Sequence, residues 1–338
     1  MGYYDEQPPP HSHRAPSELE EQQPPIRRAP RTIASASATF QADFQHLCSG
    51  EPFKLLLAIE NDNNALAAIR LTDELTALGA MPTVINVTRS LRPPLTSPSA
   101  KSYADTIFGE SFHDNRCRLL DDLISNAVGE RKEWPTESVI GDPAEKILAA
   151  AASEKAELIV MGINNHGVFA QAMGQNTATR IMGKASVPVL GVRPRMGNKL
   201  NSVMVATDFG ASSRQAALVA ANLIQPHGRL ILVYVDAPPL ADSSQHSALA
   251  RDKQVADAFR RISEDIRANR SIDVETLHRI GDPTKELLGA AKLIAPDLIA
   301  IGSERTGEGT RIPLDSITRA LILDGRWPML VTPPPLEN

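Results

Sequence analysis

Between residues 52 and 334 the chain alternates short apolar runs with longer amphipathic segments. The apolar runs, such as Leu55–Ile59 and Leu230–Val235, lack polar–apolar alternation, which is typical of parallel strands buried on both faces. The intervening segments carry apolar residues at helical spacing, as at Ala217, Ala220 and Ile224. Strands that alternate with helices predict an α/β fold with parallel sheets and right-handed crossovers.

This pattern occurs twice along the chain. The repeated segments are Ile140–Pro143 and Ile280–Pro283, Glu157–Gly162 and Asp297–Gly302, and Val187–Leu190 and Trp327–Leu330, all separated by 140 residues. Upstream, Leu55–Glu60 matches Val203–Asp208 at an offset of 148 residues, so the first copy holds eight extra residues (148 − 140), which we assign to a loop over 91–111. We therefore predict two copies of one domain, at 52–195 and 199–334, joined by a short linker.

The sequence predicts the bounds of several helices and strands in the two copies. In the second copy, the first strand is predicted over Ser202–Asp208 and the next helix starts at Ser212, with Gln215 completing a capping box. A later helix is predicted over Gln254–Asn269. In the first copy, the corresponding helix is predicted over Arg116–Ala127.

The residues before the duplicated region have a different composition. Of the 26 prolines in the chain, seven lie within residues 1–45, where hydrophobic periodicity is absent. Such a segment buries too little apolar surface to offset its ordering entropy, so residues 1–48 are predicted to be a disordered tail. The tail is interpreted either as inert and solubilising or as a docking segment for a protein partner.

Composition and charge exclude several classes of protein. The formal net charge of −5 argues against a nucleic-acid-binding protein, which would present a basic face. No apolar run approaches the ~18–20 residues of a membrane span, and the N-terminus lacks the apolar core of a secretory signal. The two cysteines, Cys48 and Cys117, have no metal-ligand spacing, which favours a reducing cytoplasm and predicts no metal site.

The duplicated region resembles two universal stress protein domains in tandem. The resemblance is carried by Val205–Phe209, the strand Leu230–Val235, both Gly-Asp-Pro elements, the glycines that end strand four, and the last strands. It implies two Rossmann-like domains of the adenine nucleotide α-hydrolase-like type, each a five-stranded parallel sheet of order 3-2-1-4-5. It also implies that residues 187–192 and 328–332 pair to form an internal pseudo-dimer.

Ligands of such sheets bind at the carboxyl ends of the strands beside the switch in strand order. Strands one and four end there at Asp208 and Gly302 in the second copy, and at Glu60 and Gly162 in the first. Asp208 matches the family's adenosine-side aspartate, but an aspartate here is equally expected to cap its own turn. Both roles are open. Glu60 is one methylene longer than Asp208, so the same contact would be displaced.

The family's nucleotide-binding members carry a glycine-rich phosphate loop, G-x2-G-x9-G-[S/T], after strand four. The second copy reads Gly302-x2-Arg305-x9-Asp315-Ser316, and the first reads Gly162-x2-Asn165-x9-Gln175-Asn176, so one glycine is kept in each. Asp315 would repel phosphate, whereas Arg305 and Arg311 would offset its charge. The pattern argues against tight ATP binding in both copies, and more strongly in the first.

The candidate ligand-binding residues follow from this resemblance and from the strand ends. In the second copy they are Ala206, Thr207, Asp208, Val235, Ile301, Gly302, Arg305, Ser316 and Ile317. In the first copy the weaker candidates are Glu60, Val87, Gly162, Asn165 and Asn176. No catalytic residue is assigned, ATP or ADP is considered for the second copy alone, and Mg²⁺ is expected only with a bound nucleotide.

The resemblance implies a cytoplasmic stress-response protein that regulates by binding a small molecule or a protein, without catalysis. Two alternatives stay open at this stage. One is a nucleotide-binding protein with slow ATP hydrolysis, and the other is a nucleotide-free interaction scaffold.

Overall fold

A computed structural model of the chain describes residues 27–28, 44–59, 63–89, 110–129, 133–163, 177–194, 196–238, 245–303 and 316–334. Four of the candidate ligand-binding residues, Glu60, Asn165, Asn176 and Arg305, lie outside these ranges. So does most of the loop predicted over 91–111.

Domain 1 alternates strands and helices, as the sequence predicts. Its elements are β2 (Phe53–Ile59), α2 (Asn63–Thr76), β3 (Ala80–Thr88), α3 (Glu110–Val128), β4 (Thr136–Ile140), α4 (Pro143–Glu154), β5 (Leu158–Gly162), α5 (Thr177–Lys184) and β6 (Val189–Val192). Helix α3 begins six residues before the predicted Arg116 (116 − 110). The polar start of that helix hides its helical periodicity from a sequence-based prediction.

Domain 2 repeats the same order. Its elements are β7 (Ser202–Ala206), α6 (Ala211–Leu223), β8 (Arg229–Asp236), α7 (Gln245–Asn269), β9 (Asp273–Ile280), α8 (Pro283–Ile294), β10 (Leu298–Gly302), α9 (Ser316–Asp324) and β11 (Met329–Thr332). Strand β7 ends two residues before the predicted Asp208, and α7 begins nine residues before the predicted Gln254 (254 − 245).

The predicted capping box at the start of α6 is wrong. The N-cap is Gly210, which has no side chain to donate or accept, and the helix begins at Ala211 rather than after Ser212. The hydroxyl of Ser213 instead contacts the carbonyl oxygen of Gly210 at 3.2 Å, so it closes the first turn from inside the helix.

Each domain has the predicted strand order 3-2-1-4-5. In domain 2 the order is β9-β8-β7-β10-β11, and in domain 1 it is β4-β3-β2-β5-β6, with parallel pairing throughout each set. The central strands are covered by helices on both faces, and residues such as Leu57 and Val205 have no exposed surface. Their continuous apolar sequences therefore follow from burial on two sides.

The two sheets join edge to edge through their last strands. Strand β11 pairs antiparallel with β6, with Leu330 opposite Leu190 at the centre and Met329 opposite Gly191. Among the described residues this pairing joins the two five-stranded sheets, and a two-residue strand beside β9 brings the total to eleven strands. The pairing satisfies backbone groups that an open edge strand would expose to solvent.

The end of the predicted tail is folded. The short helix α1 (Gln45–Ser49) overlaps the predicted disordered segment 1–48 and ends one residue beyond it, and Phe44, Leu47 and Cys48 of this region are buried. The tail boundary at residue 48 is therefore wrong, because three apolar side chains close to the first domain gain enough burial to order one helical turn. A two-residue strand, β1 (Arg27–Arg28), also pairs antiparallel with β9. Residues 1–26 and 29–43 lie outside the described residues.

Helix α1 connects the two domains. The carboxylate of Glu157, at the start of β5, accepts hydrogen bonds from the backbone N–H groups of His46 at 3.0 Å and Leu47 at 3.2 Å. On the other side, the buried amide of Asn222 in α6 donates to the carbonyl oxygen of Cys48 at 2.7 Å. The segment is therefore tied to domain 1 at one end and to domain 2 at the other.

The equivalent carboxylate of domain 2 makes a different contact. Asp297, which occupies the position equivalent to Glu157, bonds the N–H groups of Asn201 and Ser202, at 2.9 Å each, immediately before its neighbouring strand. Glu157 has one more methylene and reaches the preceding helix instead. Charge-assisted bonds to backbone N–H groups are the stronger kind of hydrogen bond.

Cys48 provides a probe of this connection. Burial, with the negative charge of Glu157, raises the pKa of the Cys48 thiol to about 12, so the thiol is inert while α1 stays docked. In a Cys117→Ser background, we expect Glu157→Asp to accelerate labelling of Cys48 by iodoacetamide about tenfold, since the shortened side chain loses charge-assisted bonds. Asp297→Ala is the matched control. Equal labelling rates in the Glu157→Asp and parent proteins would contradict the role of Glu157.

The joined sheet also predicts the state of the protein in solution. Because β6 and β11 occupy each other's edges within one chain, we expect a monomer. Light scattering should give a mass near 36.5 kDa. A mass near twice that value would show that the last strands, or other surfaces, associate between chains.

Candidate functional site

Domain 2 contains a cavity at the carboxyl ends of its central strands. The cavity has a volume of about 310 Å³ and opens where β7 and β10 diverge. It is lined by Ala206, Thr207, Asp208, Ser213, Val233, Tyr234, Val235, Pro283, Leu287, Ile301, Gly302, Ser316 and Ile317. Its position is the switch point of the strand order, and its volume lies in the lower range of small-molecule sites, about 300–1,000 Å³.

Asp208 lies at the exposed mouth of this cavity. Its Oδ1 atom accepts hydrogen bonds from the backbone N–H of Gly210 at 2.9 Å and from the Ser213 hydroxyl at 2.6 Å. The turn role that the sequence offers for this residue is therefore present. Within the described part of the chain, Oδ2 takes no hydrogen bond, so this oxygen is open to a donor from a ligand.

Two hydroxyl groups extend inward from Asp208. The Thr207 and Ser213 hydroxyls lie 3.1 Å apart, and both residues are buried. The Thr207 hydroxyl also accepts the N–H of Phe209 at 3.0 Å. The cavity thus combines a connected polar corner with apolar walls, as is typical of sites that fix the orientation of a small molecule.

Aromatic packing holds the turn that carries Asp208. Phe209 has a φ of 67°, a left-handed conformation that is costly for a bulky residue. Its ring packs against Tyr234 at 4.6 Å between centroids and against Phe259 at 5.0 Å. Burial, with the charge of Asp236, raises the pKa of Tyr234, so the phenol at the cavity wall is neutral at physiological pH.

The helix that follows the Gly281-Asp282-Pro283 motif forms another wall. Asp282 is the N-cap of α8 and accepts the N–H of Lys285 at 2.9 Å, and Pro283 occupies the first helical turn and lines the cavity. The repeated motif is thus a helix start that delivers Pro283 and Leu287 to the site.

Gly302 has a packing role that the phosphate-loop interpretation did not include. A Cβ atom at this position would lie 2.3 Å from the backbone carbonyl carbon of Ser212 and 2.4 Å from the N atom of Ser213. The absence of a side chain lets the start of α6 pack directly on the end of β10. One glycine of the presumed phosphate pattern is therefore explained by close packing of α6 on the sheet, without phosphate.

Domain 1 has a cavity at the equivalent position, but its volume is only about 10 Å³. Its lining residues are Ala58, Ile59, Ala65, Val87, Pro143, Ile147, Met161 and Gly162. At offsets of 148 and 140 residues these positions correspond one for one to Ala206, Thr207, Ser213, Val235, Pro283, Leu287, Ile301 and Gly302. Ile59 and Ala65 replace both buried hydroxyl residues, so the domain 1 cavity lacks their polar groups and has room for about one water.

Two arginine contacts hold the helix α5 in domain 1. Arg180 forms an ion pair with Asp142 at 2.7 Å, and Arg89 donates to the Thr177 hydroxyl at 2.9 Å. The Arg180 hydrogen bonds lower the pKa of Asp142. In domain 2 the positions of the two arginines are occupied by Ala320 and Ala237, which provide no such contacts.

The structure brings together all described candidates of domain 2. Ala206, Thr207, Asp208, Val235, Ile301, Gly302, Ser316 and Ile317 line one cavity, and Val87 and Gly162 line its counterpart in domain 1. Sequence reasoning missed Ser213, Val233, Tyr234, Pro283 and Leu287. The Gly-Asp-Pro repeat drew attention to Pro283. The sequence could not place Pro283 beside the end of β7, because that proximity depends on tertiary packing.

Other kinds of site find no support in the described ranges. No group of three or more His, Cys, Asp or Glu side chains is arranged there to hold a metal ion. None of the described helices combines the length and the apolar character that a membrane span requires.

Comparison with known proteins assigns the family. The model of the universal stress protein family matches residues 52–193 and again 199–333. The chain therefore belongs to the universal stress protein family, with two domains in tandem. No functionally curated protein shows significant sequence similarity to it.

Solved structures share the tandem fold. A universal stress protein from Archaeoglobus fulgidus aligns with a TM-score of 0.60 and 18% identity, covering 85% of this chain and 98% of its own. A protein from Pseudomonas aeruginosa provisionally assigned to the same family aligns with a TM-score of 0.52 and 14% identity, covering 85% of this chain and 95% of its own. At these identities the likeness establishes the fold.

The packing around Gly302 yields a stability prediction. We expect Gly302→Ala to lower the free energy of unfolding by about 1–3 kcal/mol, since the added methyl would collide with the α6 backbone. Chemical denaturation followed by circular dichroism measures this change. Gly289→Ala, at a helical position with no atom within 4 Å of the added Cβ, is the matched control and should be neutral or stabilising. Equal stabilities of the two variants would contradict the packing role of Gly302.

Proposed function

We propose that this protein is a non-catalytic, cytoplasmic stress-response protein that binds one nucleoside-sized small molecule in domain 2. The observation that carries the proposal is the difference between two equivalent cavities. The domain 2 cavity is open and contains two buried hydroxyls, whereas the domain 1 cavity is nearly filled and apolar. Family membership supports the stress-response role.

The chemistry of the cavity favours a nucleoside. The Oδ2 atom of Asp208 suits a ribose hydroxyl or an exocyclic amine, because a carboxylate accepts hydrogen bonds and donates none. Apolar walls from Val235, Leu287, Ile301 and Ile317 suit the flat face of a base. The Ser213 hydroxyl holds Asp208 in place, so the acceptor is oriented before a ligand arrives.

The same features argue against a Mg²⁺-dependent triphosphatase. Asp208 places negative charge at the mouth, and Asp315 adds another in the loop sequence that replaces two of the family's glycines. Gly302 is accounted for by the packing of α6. We therefore expect a triphosphate group to contribute little to the binding affinity. We also expect the ligand to dissociate without having reacted.

Two free cysteines support the proposed cytoplasmic location. Neither Cys48 nor Cys117 forms a disulfide, which suits a reducing compartment.

Calorimetric titration tests the proposal. We expect adenosine and AMP to bind at least as tightly as ATP, and Asp208→Ala to weaken binding by about tenfold or more through loss of a charge-assisted hydrogen bond. Glu60→Ala, the equivalent change in domain 1, is the matched control and should leave the affinity unchanged. Mg²⁺-dependent release of phosphate from ATP would contradict the non-catalytic part of the proposal, and absence of binding would contradict all of it.

A further inference from the structure

Arg193 of domain 1 contacts the helix α9 of domain 2. Arg193 directly follows β6, only 7% of its surface is exposed, and it reaches across the β6–β11 junction. Its Nη2 atom donates to the carbonyl oxygen of Ile322 at 3.1 Å, and its Nε donates to that of Trp327 at 3.2 Å. Both acceptors belong to domain 2.

The contact is made at the carboxyl end of α9. Ile322 lies in the last turn of this nine-residue helix, where carbonyl groups have no partner within the helix. A cation at this end also interacts favourably with the helix dipole. The planar guanidinium donates in two directions at once, a geometry that lysine does not reproduce.

The opposite end of α9 forms part of the ligand cavity. Ser316 and Ile317, its first two residues, line the cavity of domain 2. Because nine residues of α-helix span only about 14 Å, a support at the last turn constrains the position of the first. Thr318 and Leu321 are buried against the domain between the two ends.

The contact has no counterpart in the other direction. The position equivalent to Arg193, 140 residues later, is Pro333, whose side chain carries no donor. Domain 1 thus supports the cavity wall of domain 2, and domain 2 offers no equivalent donor to α5 from this position.

We propose that Arg193 is a positioning residue by which domain 1 holds α9 in place for ligand binding in domain 2. This inference rests on the proposed function for its consequence, but its structural part is independent of any ligand. Domain 1, whose own cavity is nearly filled, thereby stabilises the ligand site of domain 2 in the same chain.

Two measurements on the full-length protein test the inference. In Arg193→Met we expect hydrogen–deuterium exchange of peptides covering residues 316–324 to accelerate about tenfold, and adenosine to bind about tenfold more weakly at a temperature where the variant is folded. Arg193→Lys should restore part of both losses, because it retains the charge and one donor direction. Arg267→Met is the matched control, since Arg267 donates to the carbonyl of Val274 at 2.9 Å from a helix that does not line the described cavity.

The outcomes separate this inference from the proposed function. Unchanged exchange of α9 in Arg193→Met would overturn the positioning role, whether or not a ligand binds. Faster exchange with unchanged adenosine affinity would overturn the link to the site. If the wild-type protein binds no adenosine, the proposed function fails, and the exchange data alone decide whether Arg193 positions α9. If Arg193→Met does not fold, the same comparison is made with Arg193→Lys.

Discussion

The antiparallel pairing of β6 with β11 is the contact on which the arrangement of the two domains depends. Three residue pairs centred on Leu190 and Leu330 join two five-stranded sheets, and all six residues are buried. Arg193 and helix α1 add polar contacts around the same junction, since each links a group of one domain to a group of the other. The two domains therefore share one sheet.

A duplicated backbone allows one copy to specialise. Eight cavity positions correspond between the domains, and they lie on or next to equivalent strands and helices. The difference lies in a few side chains: Thr207 and Ser213 keep hydroxyls where domain 1 has Ile59 and Ala65. Apolar side chains at these positions leave the domain 1 cavity nearly filled. Retaining buried hydroxyls in domain 2 has an energetic cost that their mutual hydrogen bond and the carboxylate of Asp208 offset.

Periodicity and the repeat were sufficient to predict the α/β class and most of the strands, and the resemblance to the universal stress proteins implied the strand order. Burial on both faces makes the strand signal strong, and the two offsets identify equivalent residues without a structure. The position of α1 was not predictable, because its order depends on Glu157 and Asn222, which lie far away in the sequence. The start of α6 was misassigned because Gly210 closes the turn without a side chain.

At the candidate site, the sequence identified the correct edge of the sheet, although β7 ends at Ala206 rather than Asp208, and it explained Gly302 by ligand chemistry alone. The close approach of Gly302 to the backbone of Ser212 and Ser213 depends on tertiary packing, since 89 residues (302 − 213) separate Gly302 from Ser213 in the sequence. Ser213 was not among the predicted site residues for the same reason. Its contacts with Thr207 and Asp208 arise only when α6 returns over the end of β7.

The central claim is that one domain binds a ligand and the other supports it. Native mass spectrometry of the full-length protein with excess adenosine measures this directly as the number of ligands per chain. The account predicts one bound adenosine per chain, lost when Thr207→Ile and Ser213→Ala are combined to give domain 2 the residues of domain 1. Two bound ligands, or one that persists in the double variant, would contradict it.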